Sequence, residues 1–128
     1  LWAVPTGAAP AGVAVSDDGA WVATADRDDD AISIFDAATG RLLHRVRTAG
    51  AHPFGITFHD GRFWTTDVQS RSVTVLDAAS GKVLANLDGG SFPNHLSLAP
   101  DGTVFAVNKA RGKDDAKGNM LRRIVPKG

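Results

Sequence analysis

The sequence predicts an all-β fold assembled from propeller blades, each made of four antiparallel strands. Three observations carry that expectation. The chain repeats itself every 41 residues or so. Each repeat holds four short apolar segments. The composition favours turns over helices, with 14 glycines, 14 acidic residues that are all aspartate, and a single glutamine, Gln69. Glu and Gln suit helix interiors, whereas Asp and Gly suit turns and caps.

Three independent markers set the period. Gly-x-x-Pro occurs at Gly7–Pro10, Gly50–Pro53 and Gly90–Pro93, spaced 43 and 40 residues. Asp-Gly follows at Asp18-Gly19, Asp60-Gly61 and Asp101-Gly102. Asp36-Ala-Ala-Thr-Gly40 returns as Asp77-Ala-Ala-Ser-Gly81. A fixed period of this length marks a repeat architecture.

The first segment after each proline is Val13–Val15, Ile56–Phe58 and Leu96–Leu98, expected as the innermost strand. Asp-Gly then makes a tight hairpin, because Gly tolerates positive φ. The second segment is aromatic or β-branched: Trp21–Thr24, Phe63–Thr66 and Val104–Val107. The third is Ile32–Phe35, Val73–Leu76 and Met120–Val125. In the turn after it, the Asp side chain can accept N–H groups and Gly can take the left-handed conformation. The fourth, amphipathic and outermost, is Leu42–Val46 and Val83–Leu87. Alternation and β-branched content mark all of these as strands. Trp21, Phe35, Phe63, Trp64 and Phe105 are expected to pack between sheets.

Four strands in 40–45 residues is a blade signature. The pattern, Pro followed by alternating apolar residues, Asp-Gly, an aromatic strand and Asp-x-x-Thr/Ser-Gly-Arg/Lys, resembles the YVTN-type β-propeller repeat. Pro93 to Gly102, followed by a long charged loop and Ile124, is similar to the closing blade of YncE-like propellers. The third repeat departs from the pattern, since its Asp-x-x-Thr-Gly turn and outer strand are missing. The resemblance implies a binding scaffold and, for many relatives, export to the periplasm or cell exterior.

The expected organisation is an outer strand at 1–7 belonging to a preceding or completing blade, blades at 8–49 and 50–90, and an incomplete closing blade at 91–128. About three blades fall short of the four to eight that close a ring. Either further blades of a longer chain, giving six to eight in all, or a second protomer is expected to complete it.

The charges balance, with 14 basic and 14 acidic residues, so no whole-molecule field draws nucleic acid or anionic lipid. No apolar run approaches the roughly 20 residues that span a bilayer. Without cysteine, a disulfide framework or thiolate chemistry is excluded.

Two loop classes should gather on one face: those entering the inner strands and those joining second to third strands. They nominate His52, Phe54, Asp67, Arg71, Asn94, His95, Asn108, Lys109 and Arg111 as a ligand-binding rim, with Phe92 and Asp26 beside them. Packing between blades and satisfying loop backbone is the commoner fate of such side chains. His52 and His95 hold neighbouring repeat positions, but two histidines without a third ligand are a weak metal signal. His44, on an outer strand, and His59, in a hairpin, stand apart from them. Asp26-x-Asp28-x-Asp30 begins like a calcium loop, yet Ala31 replaces the turn glycine and Ala37 the twelfth-position Glu. A solvated acidic loop is expected instead. Neither a metal nor a cofactor is expected.

The stretch from Lys109 to Lys127 carries seven basic residues against Asp114 and Asp115. Nucleic-acid binding there is one alternative, with salt-sensitive phosphate contacts. No phosphate-cradling glycine loop or stacking aromatics accompany it. A lactonase-like hydrolase is another, by analogy of fold. No Gly-x-Ser-x-Gly elbow occurs, and the only rim acids are Asp26, Asp28 and Asp67. The sequence leads to a non-catalytic scaffold that recognises its ligand through loops on one face.

Overall fold

The computed structural model describes residues 1–90, 93–108 and 120–124. Among these residues lie three antiparallel sheets and one short 3-10 turn, Arg27–Asp29. The first sheet orders β1 (Pro10–Val15), β2 (Trp21–Asp26), β3 (Ala31–Asp36) and β4 (Leu42–Arg47) side by side. The second repeats this with β5 (Pro53–His59), β6 (Arg62–Asp67), β7 (Ser72–Asp77) and β8 (Val83–Asp88). The third holds β9 (Pro93–Leu98), β10 (Val104–Asn108) and β11 (Met120–Ile124), with β10 in the middle. Each sheet is a blade of a β-propeller.

The Asp-Gly pairs occur in two turn forms. Asp60 and Gly61 both take positive φ, at 51° and 73°, as a two-residue hairpin turn demands. At the other two sites only the glycine is left-handed, and the Asp side chain closes the turn instead. Asp18 accepts the Ala20 N–H at 2.9 Å, and Asp101 accepts the Thr103 N–H at 2.9 Å. In the outer turns, Asp36 accepts N–H groups of Ala38 and Thr39, while Asp77 accepts the Ser80 N–H and hydroxyl. These bonds to the charged form hold the carboxyls of Asp18, Asp36, Asp77 and Asp101 below their ordinary value.

The core lies between blades. Alternation along each strand sends one set of side chains towards the neighbouring sheet on either side. Ala23, Ala25, Ile32 and Ile34 of the first blade meet Phe63, Leu76 and Ala78 of the second. Trp64, Val73 and Val75, on the second blade's other face, meet Val104, with Leu96, Leu98 and Ile124 around it. Phe35, Phe63 and Trp64 are buried and Trp21 is half-buried. Phe105 departs from expectation: it stands 37% exposed, because it points away from the second blade. Leu1–Thr6 forms no strand in any of the three sheets.

Candidate functional site

In the first two blades, the loop entering the inner strand and the loop joining second to third strand share one edge. Main-chain hydrogen bonds join them. The carbonyls of Ala51 and His52 accept from the N–H groups of Gln69 and Val68, at 3.2 and 3.0 Å. In the first blade, Ala8 and Ala9 accept from Asp28 and Arg27 in the same way, at 3.2 and 3.1 Å. Asp30 O accepts from Thr48 N–H, and Arg71 O from Gly89 N–H, both at 2.9 Å, which ties in the end of each outer strand. Asp30 and Arg71 hold equivalent positions, with φ of 50° and 59°, as do Ala9 and His52, at 51° and 58°. Left-handed backbone in non-glycine residues is costly and persists where surrounding bonds determine it.

Of the expected rim residues, Arg71 and His95 are exposed, and His52, Phe54 and Asn94 half-buried. Phe54 and His95 meet edge to face, with ring centroids 5.3 Å apart, so β5 and β9 contribute one aromatic pair. Thr66 Oγ1 stitches the same strands, accepting the Gly55 N–H at 2.9 Å and donating to the Asn94 carbonyl at 2.8 Å. Among the described residues Arg71 makes no salt bridge. Lys109, Arg111 and Phe92 lie outside the described residues, as does most of the basic stretch.

Asp67 and Asn108 differ from the expectation that they face a ligand. Both are buried, as is Asp26 at the equivalent place in the first blade. Their side chains turn into the sheet. Asp26 accepts from Thr24 Oγ1 and Ser33 Oγ. Asp67 Oδ2 accepts from Ser72 Oγ at 3.0 Å and from Thr74 Oγ1. Asn108 Nδ2 donates to the Gly89 carbonyl at 3.2 Å.

This buried group explains the glycine of Gly-x-x-Pro. A Cβ on Gly50 would stand 2.6 Å from Asp67 Oδ2, and one on Gly7 2.6 Å from Asp26 Oδ2. A Cβ on Gly90 would meet Asn108 Oδ1. The entry loop thus lies directly on the carboxylate or amide, leaving room for hydrogen only. Among the described residues, buried Asp67 Oδ1 has no hydrogen-bond partner, and neither has Thr65 Oγ1. Burial, opposed by the two hydroxyl bonds and aided by the nearby Asp30 charge, pushes the Asp67 carboxyl up to about 6.

The aspartates of the Asp26–Asp30 loop point different ways. Asp28 pairs with Arg27, Asp29 accepts the Ala8 N–H, and Asp30 accepts the His52 N–H at 2.8 Å. They clip loops together rather than converge on a cation. Among the described residues, no group of three or more His, Asp or Glu side chains is placed to hold a metal ion.

A cleft of about 860 Å³ opens on the opposite, hairpin side, lined by His59, Arg62, Trp64, Leu84 and Asp101 among others. His59, which stands apart from His52 and His95, belongs to this lining. Aligning the hairpins by the period, Asp17 with His59 and Pro100, was the signal available for this grouping.

No protein-family model matches the chain. One curated relative, "Probable peptidyl-alpha-hydroxyglycine alpha-amidating lyase pgal-1" from Caenorhabditis elegans, is 32% identical over 87 residues, covering 56% of this chain. The match spans only 25% of that protein. Among solved structures, hydrazine synthase from Kuenenia stuttgartiensis superposes with a TM-score of 0.75 at 16% identity, over 96% of this chain and 38% of that one. A functionally unknown protein from Desulfotomaculum acetoxidans gives 0.73 at 18% identity, over 95% and 43%. The WD40 repeats of RRP9 give 0.63 at 22% identity, over 88% and 35%. These likenesses concern the fold, and with the three stacked blades they make the chain part of a β-propeller, spanning well under half of each of these structures.

Proposed function

We propose that the chain is a binding scaffold of the YVTN, YncE-like type, whose ligand docks on the loop face at His52, Phe54, Arg71, Asn94 and His95. One observation carries this reading: main-chain bonds fix the two loop classes to each other, so these side chains stand on a preorganised rim. Preorganisation lowers the cost of ordering groups on binding. Arg71 gives the rim a planar, permanently charged donor suited to a carboxylate. Export to the periplasm or cell exterior, which the YncE-like resemblance implies, belongs to the same proposal.

Calorimetric titration with peptides that end in a free carboxylate, or in an amide, tests it. The expected result is binding of the carboxylate form, weakened about tenfold by Arg71→Ala with the melting temperature unchanged. Equal binding of both forms, or no effect of Arg71→Ala and His95→Ala, overturns it.

A second reading rests on the likeness to the amidating lyase. On that reading the same rim holds a peptidyl-α-hydroxyglycine. Release of peptide amide from such a substrate, lost in Arg71→Ala or His52→Ala, would establish catalysis in place of simple binding.

A further inference from the structure

The entry loop of the second blade, Gly50 to His52, is fastened along its whole length. Thr48 Oγ1 donates to the Gly50 carbonyl at 2.8 Å, and the Ala51 N–H donates to Ser70 Oγ at 2.9 Å. The His52 N–H donates to Asp30 Oδ1, and the Ala51 and His52 carbonyls accept from Gln69 and Val68. Two carboxylates bracket this loop, Asp30 at the His52 end and Asp67 directly beneath Gly50. From Asp67 a chain of hydroxyls leads to the surface. Ser72 Oγ donates to Asp67 Oδ2 and lies 3.0 Å from Ser70 Oγ. Ser70 is exposed, and it is the residue that holds the Ala51 N–H. The charge of Asp67 is thus connected to the loop that carries His52.

The first blade is built differently at the same places. By the 41-residue period, Asp29 stands for Ser70 and Ala31 for Ser72. Asp29 takes the Ala8 N–H itself, and Ala31 leaves no hydroxyl between it and Asp26. On the far side, Arg45 Nε donates to Ser33 Oγ at 2.9 Å, and Ser33 donates to Asp26. The corresponding pair in the second blade is Asn86 and Thr74. Asn86 Nδ2 donates to Thr74 Oγ1 at 3.0 Å, and Thr74 donates to Asp67. The chain that reaches Asp26 therefore ends on a cation, whereas the one that reaches Asp67 ends on a neutral amide. The charged and titratable groups on the elements around Asp67 are Asp30, His52, Arg71, Asp88 at the end of β8 and His95 in β9. Of these, Asp30 adds a like charge.

We infer that the second-blade entry loop is a proton-controlled latch, seated when Asp67 carries a proton and lifted to admit water when Asp67 is ionised. A buried carboxylate without a paired cation is costly, and opening a short loop is the least disruptive way to hydrate it. Gly50 is the cover that moves, because it lies on Oδ2. In the seated form the Asp67 carboxyl stands at about 6, against 3.8 for an ordinary aspartate. The preference for the seated loop is therefore complete below pH 3.8 and is lost as pH rises through about 6. The Ser70 and Ser72 hydroxyls give the proton its path. A ligand that needs His52 in place should bind more tightly at pH 5 than at pH 8, and only this consequence rests on the proposed rim.

Hydrogen exchange reads the latch without any ligand, so the latch and the proposed rim fail separately. Corrected for the intrinsic pH dependence of exchange, opening at the Ala51, His52, Val68 and Gln69 amides should rise about tenfold from pH 5 to pH 8. The corresponding first-blade amides of Ala8, Arg27 and Asp28 should show no such rise. Asp67→Asn should flatten the profile. Asn86→Arg, which copies Arg45 of the first blade, should cut the rise to about threefold or less. A flat wild-type profile overturns the inference, as does the same rise in the first blade. Asp67→Asn leaves His52 and His95 untouched, so a rise that survives it belongs to a histidine and overturns the inference too. An Asn86→Arg profile identical to the wild type does the same.

Discussion

Asp26 and Asp67 occupy the same position in neighbouring blades, yet their carboxylates are satisfied differently. Both end the second strand of a blade, and both are fully buried. In the first blade Thr24 donates to one Asp26 oxygen at 2.9 Å, and Ser33 to the other. In the second blade both donors, Ser72 and Thr74, crowd onto Oδ2 of Asp67. Among the described residues, Thr65 Oγ1, the equivalent of Thr24 Oγ1, has no partner, and neither has Asp67 Oδ1. One unmade hydrogen bond thus accounts for two orphaned buried atoms. The comparison teaches that a repeat can keep an acid in place as a strut while letting its hydrogen bonding drift. Where it drifts, desolvation decides the proton affinity.

The largest test removes the strut. Asp26→Ala and Asp67→Ala strip the acceptor from buried hydroxyls and open a void beneath the entry loop. Each should cost about 2–4 kcal/mol in urea denaturation. Asp26→Ala should cost more, because it breaks a fully paired group. Equal losses would mean that the orphaned oxygen carries no penalty.

Proton linkage sharpens the contrast. The folded-state value of Asp67, about 6, lies above its unfolded value of 3.8. Its favourable contribution is therefore complete below pH 3.8 and lost as pH rises through about 6. Asp67→Asn keeps an acceptor for Ser72 and Thr74 without the charge, and the third blade carries Asn108 at the equivalent position. The variant should gain about 1–3 kcal/mol over the wild type at pH 8, and the gain should vanish near pH 4. Taking the difference between the two proteins cancels the turn aspartates. Their lowered values act in the opposite sense, adding stability that is lost as pH falls through their folded values. A pH-independent difference would refute the assignment.

A smaller effect separates the two threonines. Thr24→Val removes a bonded donor and should cost about 1–2 kcal/mol. Thr65→Val removes an unpaired hydroxyl and should be neutral or slightly stabilising. Comparable losses at both sites, measured by thermal unfolding, would show that Thr65 makes its bond in solution.

Much of this architecture was legible in the repeat. Gly-x-x-Pro, Asp-Gly and Asp-x-x-Thr/Ser-Gly each report a local backbone need, and local needs survive in sequence. Alternation located the outer strands β4 and β8, whose side chains are exposed and half-buried by turns. It could not say that Phe105 would be exposed, since that depends on what stands next to the third blade. The direction of Asp67 was also missed. An acid at a strand end beside a loop reads as solvent-facing, and only its partners reverse that. The signal lay in a second spacing: Ser33 follows Asp26 by seven residues, and Thr74 follows Asp67 by the same seven. A repeated acid with a repeated hydroxyl at fixed separation describes a contact across a hairpin. The loop-face histidines left no comparable trace, because Ala9 stands where His52 does and the backbone alone sets that position.

That last substitution has a consequence for how such a surface can change. The rim's shape resides in main-chain bonds that Ala9 and His52 make equally well. Side chains there are thus interchangeable without rebuilding the loop. New recognition could be written one blade at a time, each blade keeping its frame while its chemistry is replaced.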